Sequence, residues 1–370
     1  MTDVSLAAPA TPSQNNEDDM TSPSHGLTRR QLLAGAAATS LIGLPALAQP
    51  RLGKAVYGQG SIDPFFTAGY VALKKGYFGA NGLDVEYLNS QSGPRTNQLL
   101  AAGQILFGAT AATAATAAPA LTLAGKPATL IFGFDRKLTY ANVIVRKEDY
   151  DSGKVRELKD LAGKRMGATQ PQSSTWLMAV YLMQKAGVGD KVDIRPLGDL
   201  ATMLGALKTG SVSASMATMS MMEQAKAEGW GVPIFDATTD ASWQAFMGGD
   251  VPGIAALTLR DTVERRPEVV QAFVSALVKA QDFISTHSAA EVTDAIYADY
   301  LNAFPRAAIE KTIGVYQNSV FLKDNLITED AYARLLGIMG DGRQFSNEEL
   351  KRAPYSLCVD MSFVRKARGL

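Results

Sequence analysis

A single cysteine, Cys358, and two histidines, His25 and His287, stand among 370 residues. One thiol forms no intramolecular disulfide and supplies neither a cysteine-based zinc site nor an iron–sulfur cluster. Two imidazoles leave little for metal chemistry, so no metal site, no cofactor and no catalytic residue is expected. Charge of one sign is missing as well. Lys and Arg number 36 against 36 Asp and Glu, and a nucleic-acid-binding surface lacks its compositional signature. With 46% hydrophobic and 19% charged residues, the chain is not a disordered polyelectrolyte. Its length allows about two or three domains.

Long apolar runs are absent too. A bilayer needs roughly 20 residues of apolar helix, and Leu32 to Leu44 stops short of that. This run follows Arg29-Arg30 and leads into Ala46-Leu47-Ala48, giving a charged region, a short apolar region and a small-residue cleavage site. The segment resembles a twin-arginine export signal, cleaved after about Ala48, with a Ser/Pro/Asn/Asp-rich disordered leader before it. Met20 is an alternative start that shortens the leader. No cysteine stands near the cleavage site to carry a lipid anchor. The mature chain is expected in the periplasm.

Beyond Ala48 the chain alternates strands and helices, twice over. Ala55 to Tyr57 reads as a strand, Asp63-Pro64 opens a helix that ends before Gly76, and Leu83 to Leu88 alternates as a strand. Arg95 to Ala102 is helical, Gly103 closes it, and Ile105 to Phe107 is a third strand. An alanine-rich helix over Ala111 to Ala124, open to interruption at Pro119, leads to the strand Ala128 to Phe132. After a polar bridge from Arg146 to Asp160 the pattern repeats: strand Lys164 to Ala168, helix Ser173 to Lys185, strand Lys191 to Arg195. Asp199 then caps a helix ended by Gly210, Val212 to Met216 is a strand, Met219 to Glu228 a helix, and Val232 to Phe235 the last strand. Two similar α/β units facing each other across a cleft are the economical reading. Parallel strands place their carboxyl ends and the helix N-termini at that cleft. The last third is different: strand Ile254 to Leu259 precedes helices Pro267 to Thr286, Pro305 to Tyr316 and Glu329 to Met339. These helices are expected to pack back on the first unit, with crossovers near Leu138 to Val145 and Gly248 to Ala256.

Ala72 to Phe78, Gly82-Leu83-Asp84-Val85, Leu100 to Gly108, Leu158 to Gly167 and Ala206 to Ala214 follow one another in an order that carries a resemblance. Together they resemble the periplasmic substrate-binding proteins of nitrate/sulfonate/taurine ABC importers (NitT/TauT, SsuA-like) over most of residues 55 to 290. Leu106, Ser213 and Thr218-Met219-Ser220 depart from the family's usual acidic and proline positions. The resemblance implies an α/β, two-lobed periplasmic-binding-protein fold (type II-like) with a two-strand hinge and a helical C-terminal portion on lobe 1. Lobe 1 would comprise residues 49–140 and 250–370, and lobe 2 residues 141–249. It implies reversible capture of a small molecule, leaning to an organic anion such as a sulfonate or carboxylate, and delivery by a monomer to the permease subunits of an ABC importer.

The segments after the strands then supply the ligand contacts: Gln59, Ser61, Phe65, Ser90, Gln91, Ser92, Thr110, Phe134, Asp135, Gln172, Ser173, Ser174, Thr175 and Met219. Hydroxyls, amides and backbone N–H groups at helix N-termini can hold a small polar molecule without an arginine. The same Ser and Thr residues read equally well as helix caps; Arg95 and Arg136 stand close to these segments, where they can pair bidentately with an anion or, the favoured reading, be solvated side chains. Two other functions stay open. A sensor or adaptor needs the same clamp, while a pyrimidine-synthesis-type enzyme would need more than His287 and Cys358.

Overall fold

A computed structural model describes residues 51–111 and 113–370, apart from the side chains of residues 110–116, 242 and 245. The expected export signal, residues 1–48, lies outside the described residues. Ten strands follow in order: β1 (Gly53–Gln59), β2 (Leu83–Asn89), β3 (Phe107–Ala111), β4 (Ala128–Gly133), β5 (Asn142–Arg146), β6 (Arg165–Ala168), β7 (Asp193–Pro196), β8 (Ala214–Ala217), β9 (Gly231–Phe235) and β10 (Ile254–Leu259). They form two five-stranded sheets, ordered β2-β1-β3-β10-β4 and β7-β6-β8-β5-β9. The architecture is the α/β one expected.

Helices force the parallel pairings, because a strand returning parallel to its predecessor needs a crossover element. Helices Thr67–Lys74 and Gly93–Ala101 carry the chain between β1, β2 and β3, and β1 is parallel to both neighbours. Helices Ser174–Lys185 and Leu200–Lys208 do the same around β6, parallel to β7 and β8. Gly76 and Gly103 take left-handed φ angles of 68° and 70°, where a side chain would be strained, so the helices end there. Helix Thr113–Leu123 runs through Pro119 without the interruption the sequence allows.

The fourth strand of each sheet is antiparallel to its neighbours: β10 to β3 and β4, and β5 to β8 and β9. Each sheet thus takes one strand from a crossover between them, over residues 134–141 and 236–253. The two crossovers are tied side by side. Asp135 Oδ1 accepts hydrogen bonds from the backbone N–H of Gly253 (2.7 Å) and Ile254 (2.9 Å). Asn142 Oδ1 accepts from Ala237 N–H at 2.8 Å. Between these ties the buried ammonium of Lys137 donates to the Thr238 carbonyl (3.3 Å) and pairs with Asp240.

Helix Pro267–Thr286 lies on the first sheet, as its apolar stripe predicts. The Phe273 ring stacks on Phe107 at 3.9 Å and on Phe78 at 5.1 Å, and meets Tyr57 edge-on at 5.2 Å. The later helices reach the second sheet's helices too. Lys311, on helix Arg306–Ser319, pairs with the buried Glu223, and Asp341 pairs with Lys185 at 3.2 Å. Among the described residues no helix is long and apolar enough to cross a membrane.

Candidate functional site

A cavity of about 420 Å³ opens at the carboxyl ends of parallel strands from both sheets. Gly60, Ser61, Ile62 and Phe65 reach it from the end of β1, and Asn89, Gln91, Ser92 and Gly93 from the end of β2. Thr169 and Ser173 to Thr175 follow β6, Asp199 to Ala201 follow β7, and Thr218 follows β8. Tyr140 enters from the first crossover and Phe304 from the C-terminal helices.

β2, β6, β7 and β8 each run into a helix whose capping side chain stands in the wall. Ser92 accepts from the N–H of Arg95 (3.4 Å), Ser173 from Trp176 (3.2 Å), Asp199 from Thr202 (2.8 Å) and Thr218 from Met221 (3.4 Å). Four helix N-termini, one from the first sheet and three from the second, therefore converge on one space. The first turn of a helix carries N–H groups without an intrahelical partner and the positive end of the helix dipole. The loops before two of these caps match: Gln91 precedes Ser92 and Gln172 precedes Ser173, each with φ at 66°.

Half of the residues expected to contact a ligand meet at this cavity. Ser61, Phe65, Gln91, Ser92, Ser173, Ser174 and Thr175 all line it. Ser173 is also a thoroughly used cap, its hydroxyl within 2.6 Å of Thr169 Oγ1 and 3.1 Å of Thr175 Oγ1. The others sit elsewhere. Gln59 is buried and donates to the Tyr57 hydroxyl at 3.0 Å, while Ser90 donates to the Gln59 carbonyl at 2.9 Å, joining β1 to β2. Phe134 is buried edge-on against Phe132, Asp135 ties the crossovers, Gln172 faces solvent, and Met219 is buried behind Thr218. The Thr110 side chain lies outside the described residues. Arg136 pairs with Asp250 at 2.8 Å, and neither it nor Arg95 is in the wall.

Sequence reasoning passed over Tyr140, Thr169, Thr218 and Phe304, and took Asp199 only as a cap. For Thr218 the signal was present: a strand, then a Ser/Thr/Asp cap, then a helix. Tyr140 and Phe304 reach the wall through long-range folding and carry no local mark.

Beneath the cavity the two sets of helices touch. Asp63, fully buried after β1, accepts a hydrogen bond from the hydroxyl of Ser220, in helix Met219–Ala227 beyond β8. Burial pushes the Asp63 carboxyl up to about 6, against the hydrogen bonds from Ser220, Thr218 and Phe65 N–H that favour its ionised form. Burial likewise holds the Asp135 carboxyl well above its ordinary value, partly offset by its two backbone donors. Among the described residues no three His, Cys, Asp or Glu side chains gather as a metal site.

Known proteins share this fold. A Bordetella bronchiseptica RB50 protein of solved structure is 23% identical and superposes with a TM-score of 0.75, over 85% of this chain and 97% of its own. The alkanesulfonate-binding protein SsuA from Xanthomonas axonopodis pv. citri, solved with MOPS bound, is 15% identical with a TM-score of 0.66, over 85% of this chain and all of its own. YtlA of Bacillus subtilis (strain 168) is 25% identical over 311 residues, 82% of this chain and 86% of YtlA. A family model described as NMT1/THI5 like matches residues 63–290. With more than half of its length matched, the chain belongs to the NMT1/THI5-like family.

Proposed function

We propose that the chain is an extracytoplasmic solute-binding protein, which captures a small organic molecule between two lobes and delivers it to the permease of an ABC importer. The carrying observation is the wall itself, built from the carboxyl ends of strands in both sheets, so that one bound molecule contacts both halves. Residues 49–140 with 250–370 act as one lobe and residues 141–249 as the other, hinged on the two tied crossovers. Ligand contacts made by both lobes favour the closed state through differential binding. The protein is exported by its twin-arginine signal and works in the periplasm as a monomer.

The chemistry of the wall supports binding without turnover. Cys358 is buried outside the cavity, and its thiol is held above the ordinary range, first by that burial. His287 is exposed at a helix end, its ring stacked on Phe283 at 3.8 Å. Neither can serve as nucleophile or base for a molecule in the cleft. The test is a thermal melt of the purified chain with and without a total polar-metabolite extract of bacterial cells, paired with small-angle scattering. A ligand at a hundredfold excess over its Kd adds about 2.7 kcal/mol of apparent stability, and closure reduces the radius of gyration. An extract that changes neither quantity overturns the proposal.

A further inference from the structure

We propose that Phe304 is a specificity-determining residue of the cavity: its ring completes an apolar surface that favours a ligand carrying an apolar carbon body beside its polar group over one that is polar throughout. The inference rests on the cavity being a ligand site and adds which part of the ligand is selected.

Apolar side chains reach this space from every part of the fold. Ile62 and Phe65 come from the segment after β1, Tyr140 from the first crossover, Leu200 from the helix after β7 and Phe304 from the C-terminal helices. Phe65 and Tyr140 meet edge-on at 6.5 Å, so their buried rings form one continuous surface. Ile62, Leu200 and Phe304 stay half-buried, although each also packs against the core. Apolar residues scattered singly over a surface need no explanation. Five of them around one concave space, with the helix caps Ser92, Ser173, Asp199 and Thr218 in the same wall, make a surface with both an apolar and a polar part.

Phe304 differs from the other four in how it gets there. It follows no strand and caps no helix, but sits in the bend between the turn Tyr297–Leu301 and helix Arg306–Ser319. That bend is pinned to the first lobe. The Tyr297 hydroxyl donates to the Phe304 carbonyl at 2.8 Å, the Tyr300 ring stacks on Tyr70 at 4.7 Å and meets Tyr87 edge-on at 5.8 Å, and Asp299 pairs with Lys74. With the backbone held in this way, the ring is presented at the cavity and left half open to water.

Size points the same way. At about 420 Å³ the cavity falls within the range of pockets that hold small organic molecules. A small inorganic ion would leave most of that space as water held against apolar side chains. A molecule polar throughout would exchange its own hydration for contact with carbon. A carbon body instead displaces the water, and its binding is favoured in proportion to the apolar area covered.

The test divides a total small-molecule extract of bacterial cells on a reversed-phase column into retained and unretained pools, and titrates each into the purified chain by thermal shift. The retained pool should raise the melting temperature and the unretained pool should not. Against the retained pool, Phe304→Ala should move the titration midpoint about tenfold, and Phe304→Leu, which keeps an apolar side chain, by less. Because the ring is half-exposed, both variants should melt within a few degrees of the parent without added metabolites. A shift from the unretained pool, or variants that titrate like the parent, overturns the inference and leaves the solute-binding reading standing. No shift from either pool overturns both.

Discussion

The carboxylate of Asp63 accepts a hydrogen bond from the hydroxyl of Ser220, and both residues are fully buried. It joins the segment after β1 of one sheet to the helix after β8 of the other. Stability should therefore depend on pH in a direction opposite to that of most carboxylates. The folded-state value of about 6 lies above the ordinary 3.8, so the folded chain binds the proton first. Stability should rise as pH falls from about 7 through 6 towards 4, by up to about 3 kcal/mol from this group. Asp135, raised in the same direction, adds to the trend. Urea unfolding at several pH values checks the slope, and Asp63→Asn should flatten it; a slope unchanged by that substitution would contradict the assignment.

Ser220→Ala removes a donor from a buried carboxylate. A loss of about 1–3 kcal/mol is expected at pH 7.5, and less at pH 5, where the carboxyl is protonated. Equal losses at both values would mean that the hydroxyl matters only for shape.

Neighbouring serines should separate by role. Ser173→Ala strips a cap that meets Trp176 N–H, Thr169 and Thr175, and should cost about 1 kcal/mol of stability. Chemical denaturation of Ser174→Ala should give the parent's midpoint, since that hydroxyl has no described partner to lose.

Gly253→Ala should loosen the tie between the crossovers. A Cβ there would stand 2.9 Å from Asp135 Oδ1, closer than carbon tolerates, and 3.0 Å from the Lys137 carbonyl oxygen, tighter than an ordinary contact. A fall in stability of about 1–3 kcal/mol is expected, as the Asp135 bonds lengthen or break. Faster exchange of the Gly253 and Ile254 amides would locate the damage.

Phe273→Ala tests how helix Pro267–Thr286 is held on the first sheet. It removes a ring stacked on both Phe107 and Phe78, so about 3–5 kcal/mol should be lost in an unfolding experiment.

Much of this architecture is legible in the chain because its signals are local. Gly76 and Gly103 end helices, Asp63 and Asp199 cap them, and strand Ile254–Leu259 and helix Pro267–Thr286 begin and end where the apolar run and the apolar stripe place them. The bridge from Arg146 to Asp160 reads only as polar, yet it holds helix Lys147–Asp151, because Asp149 is buried against Arg146 and Lys154. Ion pairs that carry a polar segment into the interior have no periodicity to reveal them. The antiparallel placing of β5 and β10 is equally invisible, since it depends on which sheet a strand joins after a crossover. At the cavity, residues directly after strands can be anticipated. Tyr140 and Phe304 cannot, as nothing near them in sequence says which wall they will complete.

The exchange of strands between the sheets also orders their assembly. β4 pairs within its sheet only with β10, so it emerges from the ribosome with no strand to join until the whole second sheet has been made. The second sheet needs nothing beyond residue 235 to fill its five places. The half made later is therefore the first that can finish, and a nascent chain that stalls before Ile254 leaves β3 with a bare edge and β4 unpaired, surfaces that invite a chaperone or another copy of the chain.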